Sequence, residues 1–359
     1  MPDTRTGTGW TGESKKGAPS IALFDAYPEL RGRVAWEPLG IYPTPVTPMP
    51  ELARALGGDE VWIKRDDRSS ALYGGNKVRK LEFVLADAIR GGHRRVWTVG
   101  GCGSHQVLAN ALYARVLGLD SAAVVFPQPM TDHVRGVLQK IKQTDCELVQ
   151  AYHMLSVPVA AARLVARFRL RDGRVPYQVP PGASSVLGAL GYVSAALELV
   201  KQIRRGECPQ PDVVFTAMGS MGTAAGLMVG FRLAGVPIPV RCVRVVLAPL
   251  APTSRLASYC RAVAARLGRL GVSVPGTFRT SDMLVEPGFV GEGYGYVTSA
   301  GQSAVAAAEA DGIHLETTYT GKALAGLQMH VRQRRVGWRK VLFWNTFNSV
   351  SKKSPPVQD

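Results

Sequence analysis

Three short stretches of this sequence carry residues whose types and spacing could do chemistry. The first is Tyr73-Gly74-Gly75-Asn76-Lys77-Val78-Arg79-Lys80-Leu81-Glu82. Its two glycines let the backbone turn closely around a bound group. Lys77 then stands at the mouth of a segment, Val78 to Leu85, with helical spacing. A lysine so placed suits a bound carbonyl or phosphate; taken alone, it equally suits a surface lysine after a loop. The second stretch is Gly219-Ser220-Met221-Gly222-Thr223, between a strand and a helix. Backbone N–H groups and the positive helix end there form a phosphate cradle. The turn has neither the Gly-Lys-Ser/Thr ending of a nucleotide loop nor GxGxxG spacing, which disfavours nucleoside triphosphates and dinucleotides. A tight turn that binds nothing looks the same. The third stretch is Gly103-Ser104-His105-Gln106, again between strand and helix. Ser104 there serves as a helix cap, or with His105 and Gln106 it forms a carboxylate pocket in which His105 offers proton transfer near neutral pH. Two anion sites and one lysine together suggest a phosphorylated aldehyde cofactor holding an amino acid. The lysine would form the Schiff base, one helix N-terminus would hold the phosphate, and the other the substrate carboxylate.

The elements that must position these residues follow a regular order. Val61 to Arg65 reads as a strand, and the Lys77 stretch opens a helix to about Ile89. Strands at Arg95–Val99, Ser121–Phe126 and Glu147–Gln150 alternate with helices at His105–Leu117, Thr131–Ile141 and Val157–Phe168, a βαβαβα module. Pro180 to Ser185 is a loop returning to a second unit. There, helices at Leu187–Ile203, Ala224–Leu233, Ser254–Leu270, Ser299–Ala310 and Ala323–Arg332 accompany strands at Val213–Thr216, Val240–Leu247 and Lys340–Trp344. The expected fold class is α/β, with two open, twisted, mostly parallel sheets flanked by helices. Residues 21–75 and 186–350 form a large domain, residues 76–185 a small inserted βαβ domain, 1–20 a disordered leader and 351–359 a tail.

Composition bounds the rest. The 359 residues are 46% hydrophobic, ordinary for a globular chain. No apolar run reaches the roughly 18 residues of a membrane span, and the polar N-terminus lacks a signal-peptide core. Five cysteines without CxxC spacing point away from disulfides or a metal site and towards a cytoplasmic setting. The net charge of +16 raises nucleic-acid binding. The basic residues are scattered without a recognition motif, however, and read as solvated helix faces.

Pro43-Thr44-Pro45, Lys64-Arg65-Asp66-Asp67, Gly74 to Glu82, Gly219 to Thr223, Gly293-Tyr294-Gly295 and Tyr319-Thr320-Gly321-Lys322-Ala323 together resemble one family. It is the 1-aminocyclopropane-1-carboxylate deaminase / D-cysteine desulfhydrase family of pyridoxal-phosphate enzymes, with the tryptophan-synthase-β-like fold (fold type II). The resemblance runs from about Pro43 to Thr346. It implies pyridoxal 5'-phosphate as cofactor, a small amino acid as substrate, a homodimer, and no nucleic-acid, membrane or metal partner. Lys77 would carry the internal aldimine and move the α-proton. Asn76, Lys80, Gly219, Ser220, Met221, Gly222, Thr223, Thr320 and Thr346 would bind the cofactor. Ser104, His105, Gln106 and Phe347 would meet the substrate, with Ser104, Tyr294 and Tyr319 catalytic beside Lys77.

The resemblance also separates two branches. Deaminases place Glu after the second tyrosine, at the pyridine nitrogen, where this chain has Thr320, as desulfhydrases do. Thr is neutral and leaves a weaker electron sink, enough to expel a thiolate from Cβ but less suited to opening a cyclopropane. Thr346 stands where deaminases have Leu. Both residues imply α,β-elimination, with D-cysteine the default substrate. Ring-opening deamination, β-replacement and cofactor binding without turnover are the alternatives. His105 in place of Asn, Phe347-Asn348 in place of Gly-Gly, and Met221 in place of Gly depart from the pattern and bear on the substrate.

Overall fold

The computed structural model describes residues 19–333 and 337–349; the expected leader and tail lie outside the described residues, apart from positions 19–20. The chain begins with α1 (Ala22–Ala26), β1 (Val46–Pro48), α2 (Pro50–Ala55), β2 (Glu60–Arg65) and α3 (Asn76–Arg90). It continues with β3 (Arg95–Gly101), α4 (His105–Val116), β4 (Asp120–Phe126), α5 (Asp132–Lys142), β5 (Glu147–Gln150), α6 (Val157–Asp172) and β6 (Tyr177–Gln178). Then come α7 (Leu190–Arg204), β7 (Val213–Met218), α8 (Gly222–Leu233), β8 (Val240–Arg244) and α9 (Thr253–Arg269). The last elements are β9 (Leu284–Glu286), α10 (Ser299–Glu309), α11 (Thr320–Gln333) and β10 (Lys340–Asn345).

Two sheets result. One has the order β1-β2-β10-β7-β8-β9, parallel except where β1 runs against β2; the other is all parallel, in the order β5-β4-β3-β6. Side chains on β10 alternate as a strand covered on both faces requires. Leu342 and Trp344 join the core under α7, α8 and α9, while Val341 and Phe343 join the core under α2, α10 and α11. In the smaller sheet Val96, Ala123 and Val125 face α3, α4 and α5, while Trp97, Ala122 and Val124 face α6.

The strand expected to reach Leu247 stops at Arg244, because its partner β7 ends at Met218, which pairs with Arg244. The two- and three-residue strands β1, β6 and β9 are too short to carry an alternating pattern.

A buried ionic cluster ties β2, α3 and α7 together. Arg79 reaches Asp66 at 2.8 Å and Glu198 at 2.9 Å, and Lys64 reaches Glu198 at 2.6 Å. Burial alone would raise the Glu198 carboxyl, but Arg79 and Lys64 hold it down to about 2. Tyr192 and Trp344 both donate to Asp66 Oδ2, at 2.7 Å each. This cluster fixes the first turns of α3, and so the position of Lys77.

Candidate active site

Parallel strands deliver their carboxyl ends to one edge, and helix N-termini begin there. A cavity of about 530 Å³ lies at that edge, lined by residues following β2, β3, β4, β7 and β10. Asn76, Lys77, Ser104, His105, Gln106, Gly219, Ser220, Met221, Thr223, Tyr294, Tyr319, Thr320, Thr346 and Phe347 all line it. Lys80 and Gly222 stand just behind this wall.

One end is built for an anion. Gly75 turns with φ +92°, where a Cβ would meet Thr346 O at 2.8 Å, so the Gly-Gly pair is what lets α3 start against the end of β10. The Asn76 amide donates to Thr223 Oγ1 at 3.1 Å, and Lys77 Nζ donates to Asn76 Oδ1. Lys80 Nζ lies 3.4 Å from Ser184 Oγ, which is 2.8 Å from Ser220 Oγ at the start of α8. A Cβ on Gly222 would sit 2.5 Å from Ser184 Oγ, so glycine is required where the two loops meet. Met221, by contrast, holds a left-handed φ of +65° and buries its side chain in the core. Burial pushes Lys77 down to about 8 against the pull of Glu316. Burial pushes Lys80 well down, and the neighbouring Lys77 adds to it. Two lysines that repel each other, three hydroxyl side chains and a helix N-terminus make this end short of one multiply charged anion. A phosphate monoester with an aldehyde near Lys77 fits the donor set.

The opposite wall is of mixed character. Ser104 Oγ caps α4, accepting from Val107 N at 3.4 Å. Gln106 is buried, with neither side-chain amide atom partnered among the described residues. His105 uses both ring nitrogens, Nδ1 with the Tyr73 hydroxyl and Nε2 with His133 Nε2 at 2.8 Å. Phe347 stands edge-on to His105, ring centroids 5.3 Å apart. Across from them, the Tyr319 hydroxyl donates to Tyr294 at 2.8 Å. Burial raises both phenols, so both keep their protons at neutral pH. Thr320 is buried, its hydroxyl 3.0 Å from Glu316 Oε1.

Ser184, Glu316 and His133 escape a reading based on motifs, and Tyr73 stands at the edge of a motif that gives it no role. Ser184 is one of two serines in a loop, and nothing in the sequence says which turns inward. Glu316 is marked only by standing four residues before Thr320. Tyr73 adjoins the Gly-Gly turn and His133 follows β4, so proximity to a strand's carboxyl end was the available signal for both. Among the described residues no group of His, Cys, Asp or Glu could hold a metal ion, and no helix is long and apolar enough to cross a membrane.

Residues 38–346 match the family described as pyridoxal-phosphate dependent enzyme. A D-cysteine desulfhydrase of Salmonella choleraesuis (strain SC-B67) is 35% identical over 300 residues, covering 82% of this chain and 87% of that protein. One from Salmonella typhi is 34% identical over the same shares. Among solved structures, an ACC deaminase homologue superposes with a TM-score of 0.75 at 30% identity, covering 89% of this chain and 94% of the other. A fungal L-serine ammonia-lyase from Rhizomucor miehei gives 0.61 at 20% identity, covering 86% and 94%, a likeness of fold alone.

Proposed function

Because this chain belongs to the family of pyridoxal-phosphate dependent enzymes, with fold type II and lyase activity, we propose that it performs α,β-elimination on D-cysteine or a close analogue. The products would be a keto acid, ammonia and sulfide. The observation that carries this reading is Thr320, a neutral hydroxyl at the position where the deaminase branch has a carboxylate. The D-cysteine desulfhydrases among its relatives support the same choice. When bound, pyridoxal phosphate supplies an electrophilic aldehyde and a conjugated ring that takes up the electron pair left at the substrate's Cα.

The chain's own residues supply the rest. Ser184, Ser220, Thr223, the N-terminus of α8 and Lys80 would hold the phosphate, with Asn76 orienting Thr223 and Lys77. Lys77 Nζ, kept near neutrality by burial, would hold the aldehyde and then, as a free amine, take the α-proton. The backbone N–H groups of His105 and Gln106, with the Gln106 amide, would hold the carboxylate. The linked Tyr294 and Tyr319 phenols, both donors at neutral pH, would protonate the departing sulfur. Thr320, its hydroxyl bonded to Glu316, would stand beside the ring nitrogen as a neutral neighbour. Phe347 narrows the pocket, which favours a short side chain at Cα.

Residues 76–185 would act as a separate domain over the cavity. The chain would work as a cytoplasmic homodimer, a setting the five free thiols support. Equilibrium sedimentation tests the dimer.

The test of function is reconstitution. The protein should take on an absorbance band with pyridoxal phosphate that Lys77→Ala removes, and release sulfide and pyruvate from D-cysteine faster than 2-oxobutyrate from 1-aminocyclopropane-1-carboxylate. Turnover of the cyclopropane alone would place it in the deaminase branch instead.

A further inference from the structure

His105 is bonded on both sides. Its Nδ1 meets the Tyr73 hydroxyl, and its Nε2 lies 2.8 Å from His133 Nε2. The three residues come from three elements, namely the turn before α3, the start of α4 and the start of α5. All three line the cavity. Exposure rises along the row: Tyr73 is 6% exposed, His105 half-buried and His133 exposed. Tyr73 is held from behind, because Tyr113 donates to its carbonyl at 2.6 Å. Phe347 shields the row from one side, its ring centroid 5.3 Å from that of His105 and 6.0 Å from that of His133. The result is a continuous hydrogen-bonded path from the buried cavity wall to solvent.

We propose that Tyr73, His105 and His133 form a proton relay between the cavity and bulk water, with His133 as the exchange point. The proposal rests on the elimination reading above. Two proton arrangements satisfy both bonds. In one, Tyr73 Oη–H donates to His105 Nδ1 and His105 Nε2–H donates to His133 Nε2. In the other, His133 Nε2–H donates to His105 Nε2 and His105 Nδ1–H donates to Tyr73 Oη. Outward transfer converts the first into the second. A donor in the cavity protonates Tyr73 Oη as the tyrosine's own proton passes to His105 Nδ1. The His105 Nε2 proton passes to His133 Nε2, and His133 loses its Nδ1 proton to water. One proton has entered, one has left, and no charge remains on the row. Inward transfer reverses every step. An elimination takes one proton from Cα and returns one to the departing group, so alternate transfers restore the starting arrangement.

The surroundings keep His105 a conduit rather than a store of charge. Burial pushes its pKa well down, and His133, Lys77 and Lys140 push in the same direction. His105 therefore passes a proton on without retaining it at neutral pH. An asparagine at position 105 could bond to both neighbours but could not carry a proton between them.

Ring-nitrogen NMR of the ¹⁵N-histidine-labelled full chain, with and without pyridoxal phosphate, reads the relay directly. His105 should stay neutral at neutral pH, and its two nitrogen shifts should move together with those of His133 as the pH is varied. Tyr73→Phe should shift its tautomer balance, and His133→Gln should abolish the coupled movement. In the loaded enzyme, His133→Gln should lower kcat about tenfold or more at little change in KM. It should also flatten a curved solvent-deuterium proton inventory, and added imidazole should restore rate. His105 shifts that ignore both substitutions would overturn the relay, as would wild-type kcat in a His133→Gln enzyme that still holds the cofactor. Failure of the wild-type chain to bind pyridoxal phosphate would instead remove the functional reading, and the spectra of the cofactor-free chain would still decide the relay.

Discussion

The Thr320 hydroxyl lies 3.0 Å from Glu316 Oε1, and that same carboxylate accepts the backbone N–H groups of Thr318, Tyr319 and Thr320. Glu316 is thus the cap of α11 and is fully occupied there. A second carboxylate at position 320 would touch the first, and two such groups cannot both ionise without cost. Thr320→Glu is therefore expected to lose D-cysteine elimination without gaining cyclopropane opening. Assay of sulfide and 2-oxobutyrate from the same preparation checks this. Efficient 2-oxobutyrate release would show that one residue sets the branch.

Lys77 is held down to about 8 from an ordinary 10.5 by burial. Only the neutral amine attacks an aldehyde, so capture of pyridoxal phosphate by the cofactor-free chain should speed up from pH 6 to about 8 and then level off. An acceleration continuing to pH 10 would mean the amine is not desolvated. The same shift has a stability sign. The unfolded chain keeps this proton up to 10.5 and the folded chain only to about 8. Stability from this group therefore rises with pH between those values and is lowest below them.

Much of this could be read from the sequence because it is local. The Gly74-Gly75-Asn76-Lys77 turn, the glycine loop at 219–223 and the alternation of 95–168 each declare themselves within a few residues. Partnerships across the fold did not. Ser184 meets Ser220 only because two loops from different elements cross at Gly222. His105 looked like a group facing the substrate. The fold instead occupies both of its nitrogens, through residues at positions 73 and 133 that no sequence spacing connects to it. Nothing near Glu198 in the sequence marks it, yet it is the counter-ion of both Arg79 and Lys64.

That ion cluster gives a stability test. Arg79→Met leaves Asp66 and Glu198 buried with only part of their compensation, and breaking a buried pair in this way costs about 3–5 kcal/mol. Urea unfolding should show a loss of that size. Arg167→Ala, at a half-exposed pair with Glu147, should cost less than about 1 kcal/mol. Equal losses would mean the cluster is no better insulated than the surface. Because α3 is held by Arg79, the Arg79 variant should also bind pyridoxal phosphate more weakly.

Met221 sets two terms against each other. Its left-handed φ of +65° costs roughly 1–2 kcal/mol in a residue with a Cβ, and glycine would remove that strain. Its side chain, only 5% exposed, packs in the core beneath α8, and burying a methionine contributes about 1.5–3 kcal/mol. Removing it would also leave a cavity whose lining relaxes only in part. Burial outweighs strain, so Met221→Gly is expected to destabilise the chain by about 1 kcal/mol in urea unfolding, although glycine suits the backbone better. Phosphate binding should change little, because the cradle uses the backbone and hydroxyls of its neighbours rather than the thioether. A gain in stability would show that the left-handed turn carries more strain than its core contact returns.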